Sequence, residues 1–301
     1  MAETQRFEFG YQVITWDLAG HLEDAFPVIA EAGFRWFEAL LGDSLGEDFA
    51  RRNMTLGPVG PPPNFTDLHL LQRLGTFGRV HEKYGLNLAS LYVDAEWINE
   101  GLWPIERDVI QANARFLKGC GARFLVCGGG QAAPAGGHTD GEYRAFARSL
   151  EEIGAYTRRL DIRTVYHPHL DTFVQTREQL DRLLSVLNTE LVGICLDPAH
   201  FFVNGDDPVD IARAYIEHID YFHFKDVQGE VKNLTGYDRY LAFSELGAGG
   251  IDLPAMTEIM LRHGFDGLAV VEIDYAADPD ASCRRNARYI QEELGLKLSL
   301  A

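Results

Sequence analysis

Residues 162–169 read IRTVYHPH, and three later stretches repeat the same plan: LVGICLDPAH at 191–200, IDYFHFKD at 219–226 and LAVVEID at 268–274. Each begins as a short apolar, β-branched run of the kind that forms a buried strand. Each then delivers metal-capable side chains at its C-terminal end: His167 and His169, Asp197 and His200, His223, and Glu272. In a (β/α)8 barrel those strand ends converge on one face, where active sites are built. A single buried histidine is more often a satisfied structural residue. Four such groups in phase on successive strands point instead to a metal site.

Outward from this core, four more strand-like runs occur at 9–16 (FGYQVITW), 34–40 (FRWFEAL), 86–93 (LNLASLYV) and 122–128 (ARFLVCG). Helix-period segments alternate with the strands at 22–33, 140–160, 177–187, 207–218 and 253–264. Strands alternating with helices predict parallel βαβ units. Eight strands predict one closed TIM barrel, a single domain over residues 1–301. Gly33, Gly85, Gly121 and Gly264 stand where helices should stop, suited to left-handed caps. Two connections are longer than a barrel needs: the Gly/Pro-rich 41–65 and the segment 227–252. Both follow strands, so both are expected to border the pocket, the alternative being a surface excursion or an oligomer contact.

The formal charge of −18 repels phosphate backbones and acidic lipid surfaces, which argues against nucleic acid or a membrane as partner. It fits a small neutral or keto substrate, or a metal cation. Cys120, Cys127, Cys195 and Cys283 show no C-x-x-C spacing, and the N-terminus MAETQRFEFG lacks the pattern of a signal peptide. A soluble, reduced, cytoplasmic protein is the expectation.

His167 and His169, two apart, face one side of their strand. Asp197 is placed to ligate directly and His200 to stand on the rim against substrate. His223 ends its strand, with Lys225 two residues on along the same line and Asp226 turned away to anchor the following loop. Glu272 caps LAVV, where a carboxylate is costly to bury unless it is paired or bound to metal. Asp274 lies beyond it. Earlier in the chain, Trp16 and Asp17 end the first predicted strand and Glu38 the second. Trp16 reads as an apolar wall for a sugar-like ring or as core. Glu38 reads as an acceptor for a polyol hydroxyl or as a paired structural carboxylate. GGGQ at 128–131 lacks the spacing of a phosphate cradle. The ligand set His167, Asp197, His223 and Glu272 supplies two nitrogens and two oxygens without thiolate. It suits one divalent ion, Mn²⁺ or Co²⁺ in preference, with Zn²⁺ or Mg²⁺ as alternatives.

These motifs, VYHPHLDTFVQTREQLDRLL, ICLDPAHFF, YFHFKDVQ, ELGAGGIDLP and VVEID, resemble the xylose-isomerase-like barrels over roughly residues 9–294. That superfamily holds sugar isomerases and epimerases, with endonuclease IV as a distant relative. Within it the chain is most similar to the inosose (2-keto-myo-inositol) dehydratases, departing from them at 41–65 and at LYVDAEW, 91–97. The resemblance implies that Asp197, His223 and Glu272 fill the last three places of a Glu-Asp-His-Glu ligand set. His167 replaces the first Glu, and His169 takes the place of a substrate-binding His. Epimerases of the family use two opposed carboxylates, of which only Glu272 remains. The expectation is therefore a metal-dependent lyase on a cyclic keto-polyol, with Glu272 or His169 as base and Lys225 or a protonated His as acid. Cleavage of a 3-keto-glycoside or sugar isomerisation through an enediolate are the alternatives. A non-catalytic partner subunit and an endonuclease IV-like nuclease fit the filled ligand positions and the −18 charge less well.

Overall fold

The apolar runs become strands because both of their faces are buried, one against helices and one inside a closed sheet. The computed structural model describes residues 4–18, 21–40, 67–229, 231 and 234–300, without the side chains of 67–74, 76 and 237. The strands are β1 (Glu8–Gln12), β2 (Trp36–Leu40), β3 (Asn87–Ala95), β4 (Phe124–Gly129), β5 (Arg163–Tyr166), β6 (Val192–Leu196) and β7 (Ile219–Phe224). A short ladder, β8 (Asp226–Val227) with β9 (Phe243–Ser244), precedes the last strand, β10 (Leu268–Val271). The barrel closes in the order β1-β10-β7-β6-β5-β4-β3-β2, every neighbouring pair parallel. A (β/α)8 barrel is what the alternation predicted.

Helices start and stop where the sequence supplies caps. Thr139 and Thr176 open capping boxes with Glu142 and Gln179. Asp207, Asp252 and Asp278 accept hydrogen bonds from the first-turn amides of helices that carry proline at their start. Gly33, Gly121 and Gly264 end helices in the left-handed conformation.

Inside the barrel, Ala89, Phe124, Val126, Val165, Cys195, Tyr221, Leu268 and Val270 form a separate apolar plug under the mouth. The register of β3 slips against β2: Phe37 pairs with Leu88, but Glu38 pairs with Ser90. This bulge makes Ala89 an extra residue, and above it Ser90, Tyr92 and Asp94 face inward with period two.

The first strand is shorter than predicted. It ends at Gln12 because the side chain of Gln12 accepts a hydrogen bond from the Ile14 amide, and a short helix, Ile14–Leu18, begins there. Trp16 is thus helical and buried toward the outer layer. Its indole donates to Asp280 (3.0 Å) and its ring packs edge-on to Tyr11. The connection expected at 41–65 lies outside the described residues. Among those described, no helix is long and apolar enough to cross a membrane.

Candidate metal centre and active site

The strands carry inward-facing side chains every second residue, so several of them add a polar group above the apolar plug. Asp197, directly after β6, divides its carboxylate. Oδ1 accepts from the Ala199 amide (2.7 Å), starting the helix Pro198–Val203, and Oδ2 turns inward to within 3.3 Å of His200 Nε2 and 3.2 Å of Lys225 Nζ. His223 comes from β7 and Glu272 from the residue after β10. Ligand atoms of Asp197, His223 and Glu272 all lie within 4.8 Å of one another, and all three residues are buried.

His167 follows β5 and is also buried, its ring 4.6 Å from that of His223 between centroids. It groups with Cys195 and His223, and again with His169 and His200, rather than with the two carboxylates. The four ligands expected from the sequence are thus brought to one place, three as a single cluster and His167 beside it.

Several of these atoms lack a hydrogen bond of acceptable geometry despite being buried: His167 Nδ1, both nitrogens of His200 and of His223, Asp197 Oδ2 and Glu272 Oε2. Buried polar groups are seldom left so. Borderline N and O donors that face one another without satisfied hydrogen bonds fit a divalent cation.

Charge is balanced tightly around them. His223 lies between two carboxylates, its Nε2 2.9 Å from Glu38 Oε1 and its Nδ1 2.7 Å from Glu272 Oε2. Lys225, fully buried, stands 3.2 Å from each of Asp197, Glu272 and Asp274. Burial disfavours that ammonium, but the three carboxylates overcome it and hold the Lys225 pKa above its ordinary value. Burial also opposes charge on Glu272, where Lys225 and His223 prevail and keep its carboxyl well below the usual range. Burial first, then the positive fields of neighbouring imidazoles and Lys225, push His167 and His200 well below the usual imidazole range. His169 is lowered chiefly by burial. Neutral imidazoles can ligate a metal or accept a proton. Asp274 is pushed up to about 7 by burial and by Glu272 and Asp197, against Lys225.

Three sequence-based expectations need correction. Trp16 does not join the site, because the helix at Ile14–Leu18 carries it to Asp280 and Tyr11. Glu38 lies too deep to meet a polyol hydroxyl. Its carboxylate accepts from Gln12 (3.0 Å), Tyr221 (2.8 Å) and Ser90, and faces His223, so it acts as a buried counter-charge that orients the imidazole. His200 is not a rim residue. It is 1% exposed, its ring 3.7 Å from that of His169 between centroids and edge-on to Phe243.

The segment 227–252 does border the site. Asp226 anchors it as expected, accepting from the amides of Val227, Gly247, Gly249 and Ile251. Phe243 then lies under the Lys225 ammonium (4.6 Å), and Tyr240 comes 6.0 Å from His169. Tyr92 faces His167 and His223 at 5.6 and 6.5 Å. The sequence reading missed Tyr92, Tyr240, Phe243 and Cys195, since an aromatic or thiol in an apolar run looks like core. For Cys195 a signal existed: it stands two residues before Asp197 on the same inward face.

A family model described as "Xylose isomerase-like TIM barrel" matches residues 26–293. The chain is similar to an inosose dehydratase of Clostridium botulinum (strain Eklund 17B / Type B). The two are 28% identical over 242 residues, covering 71% of this chain and 80% of that one. It is similar to the rhizopine catabolism protein MocC of Rhizobium meliloti, 30% identical over 218 residues, a stretch short of two thirds of each chain (65%). In fold it matches the crystal structure of IolI protein with a binding zinc atom, at a TM-score of 0.71 and 14% identity, covering 98% of this chain and all of that one.

Proposed function

This chain belongs to the xylose isomerase-like TIM barrel family, and we propose that within it the protein is a divalent-metal-dependent lyase removing water from a cyclic keto-polyol. The observation that carries this reading is the meeting of Asp197, His223 and Glu272 within 4.8 Å at the barrel mouth, with the buried ammonium of Lys225 against two of them. The similarity to an inosose dehydratase over 71% of the chain supports the choice of substrate class.

Asp197, His223 and Glu272, with His167, would hold the ion. Two imidazoles and two carboxylates favour Mn²⁺ or Co²⁺, with Zn²⁺ and Mg²⁺ as alternatives. A bound divalent ion supplies Lewis-acid polarisation of the substrate carbonyl, which acidifies the neighbouring C–H. His169, half-buried and with its pKa lowered chiefly by desolvation, or Glu272, takes the α-proton. The electron pair left on the α-carbon forms the C=C bond as the β-carbon–oxygen bond breaks. Lys225, kept protonated by its three carboxylates, gives a proton to the departing oxygen, so that water leaves. Phe243 and Tyr240 help exclude bulk solvent from the acid and the base. Epimerisation needs a second base on the opposite face of the substrate. Glu38, the other carboxylate near His223, is buried beneath the site and already occupied.

The test is a screen of metal-stripped protein with keto-inositols and 3-keto-glycosides, each with Mn²⁺, Co²⁺, Zn²⁺ or Mg²⁺ restored. Enone absorbance that appears only with metal, and only with keto-inositols, is the expected result. Aglycone release from the 3-keto-glycosides would move the reading to glycoside cleavage, and no conversion with any metal would end it.

A further inference from the structure

The upper half of β3 forms a wall of the mouth that the proposed chemistry leaves unused. Above the bulge, Ser90, Tyr92 and Asp94 rise in succession on the inward face. Ser90 meets Glu38 and Tyr221, Tyr92 faces His167 and His223, and Asp94 is exposed at the top. The Tyr92 hydroxyl donates a 2.8 Å hydrogen bond to Asp94 Oδ1. Among the described residues no cation pairs with Asp94 and no donor reaches its Oδ2, and the side chain is exposed. An acceptor-only carboxylate, fixed by a phenol beside the catalytic imidazoles, is poorly explained as scaffolding.

The neighbouring strand is shaped around this pair. In register with Asp94, β4 carries Gly128, where a β-carbon would overlap the Tyr92 phenol oxygen. At Gly129 one would stand 3.1 Å from Asp94 Oδ1 and 2.7 Å from the Ala95 carbonyl. Trp97, held at φ +61° in the left-handed region, donates from its indole to the Gly128 carbonyl (2.7 Å) and ties the end of β3 to the glycine run. Gly128 and Gly129, part of a glycine run without phosphate-cradle spacing, thus leave the room in which Tyr92 and Asp94 sit.

We infer that Asp94 is a specificity-determining residue: oriented by Tyr92, its carboxylate accepts hydrogen bonds from polyol hydroxyls on the side of the ring away from the reacting carbon. The inference rests on the keto-polyol reading and adds which wall selects the substrate. The metal-capable cluster comes from the β6, β7 and β10 ends and Asp94 from β3, so a ring lying between them presents its carbonyl to one and its remote hydroxyls to the other. Hydroxyls donate and a carboxylate only accepts, so the match is direct and charge-assisted. The same negative group repels rings that carry a phosphate or carboxylate.

The experiment compares wild type with Asp94→Asn, Asp94→Ala and Tyr92→Phe, all checked for equal metal content and unchanged circular dichroism. Steady-state kinetics use 2-keto-myo-inositol and analogues lacking one remote hydroxyl each, and calorimetry follows myo-inositol binding to the Mn²⁺-loaded protein. Asp94→Ala should raise KM about 10- to 100-fold, the scale of a lost hydrogen bond to a charged group, with a smaller fall in kcat. One deoxy analogue should show no such dependence on Asp94, and Tyr92→Phe should shift KM in the same direction by less. An unchanged KM in Asp94→Ala, with turnover intact in wild type, overturns this inference and leaves the lyase reading standing. No turnover of any keto-polyol, together with myo-inositol binding that weakens in Asp94→Ala, fails the lyase reading and keeps the inference. Myo-inositol binding that is absent or indifferent to Asp94 in a protein without turnover fails both.

Discussion

At the residue scale the site depends on one imidazole held between two carboxylates. Glu38 contacts His223 Nε2 from below and leaves Nδ1 toward Glu272. Carboxylates that orient metal-binding histidines typically account for 10- to 100-fold in metal affinity. Glu38→Gln should therefore weaken Mn²⁺ binding by about that factor, read by titration of metal-stripped protein. His169→Ala should retain metal and lower kcat by a factor on the order of 10², the scale of general acid–base catalysis, if His169 is the base. A rise confined to KM would leave His169 as a positioning group and Glu272 as the base. Much of this was legible in the sequence, because a charged or imidazole side chain ending an apolar run announces itself. The depth of Glu38 was not, since a linear pattern cannot show that Gln12, Ser90 and Tyr221 converge on it from three other strands.

At the scale of elements, the connection after β7 is organised by a single side chain. Asp226 gathers four backbone amides, from Val227, Gly247, Gly249 and Ile251. A β-carbon at Gly249 would overlap that carboxylate, so ELGAGGID needs glycine where its backbone closes on Asp226. Asp226→Ala leaves buried donors unsatisfied at roughly 1–3 kcal/mol each. It should cost at least about 3 kcal/mol in chemical denaturation, and loosening Phe243 and Tyr240 should raise KM as well. Asp226→Asn, which keeps one acceptor oxygen, should cost less. The sequence reading found the loop and its anchor because Asp226 breaks the alternation of β7. It failed at the first strand, where the run FGYQVITW stays apolar across a strand end and a helix start. The hydrogen bond from the Ile14 amide to the Gln12 side chain, with the Trp16 and Asp17 amides donating to the Val13 carbonyl, marks that boundary.

At the scale of the whole molecule, the barrel sets the site and the charge sets its company. Eight parallel strands bring Asp94, His167, Asp197, His223 and Glu272 to one end, although they are spread over most of the sequence. Lys225 stands 3.2 Å from both Asp197 and Glu272. A ligand held at a hundred times its Kd adds about 2.7 kcal/mol to stability. Stripping the metal should therefore lower Tm by several degrees, and restoring Mn²⁺ should return it. An unchanged Tm on stripping and reloading would mean that no ion is held by the folded state. Elimination and isomerisation leave different products in deuterated water. Metal-loaded protein is incubated with 2-keto-myo-inositol in D₂O, and the products are followed by NMR and mass spectrometry. Elimination gives a dehydrated, unsaturated ketone or its diketone tautomer as the accumulating product, and this is the expected result. A stereoisomer carrying deuterium at the α-carbon, with no dehydrated product, would contradict it.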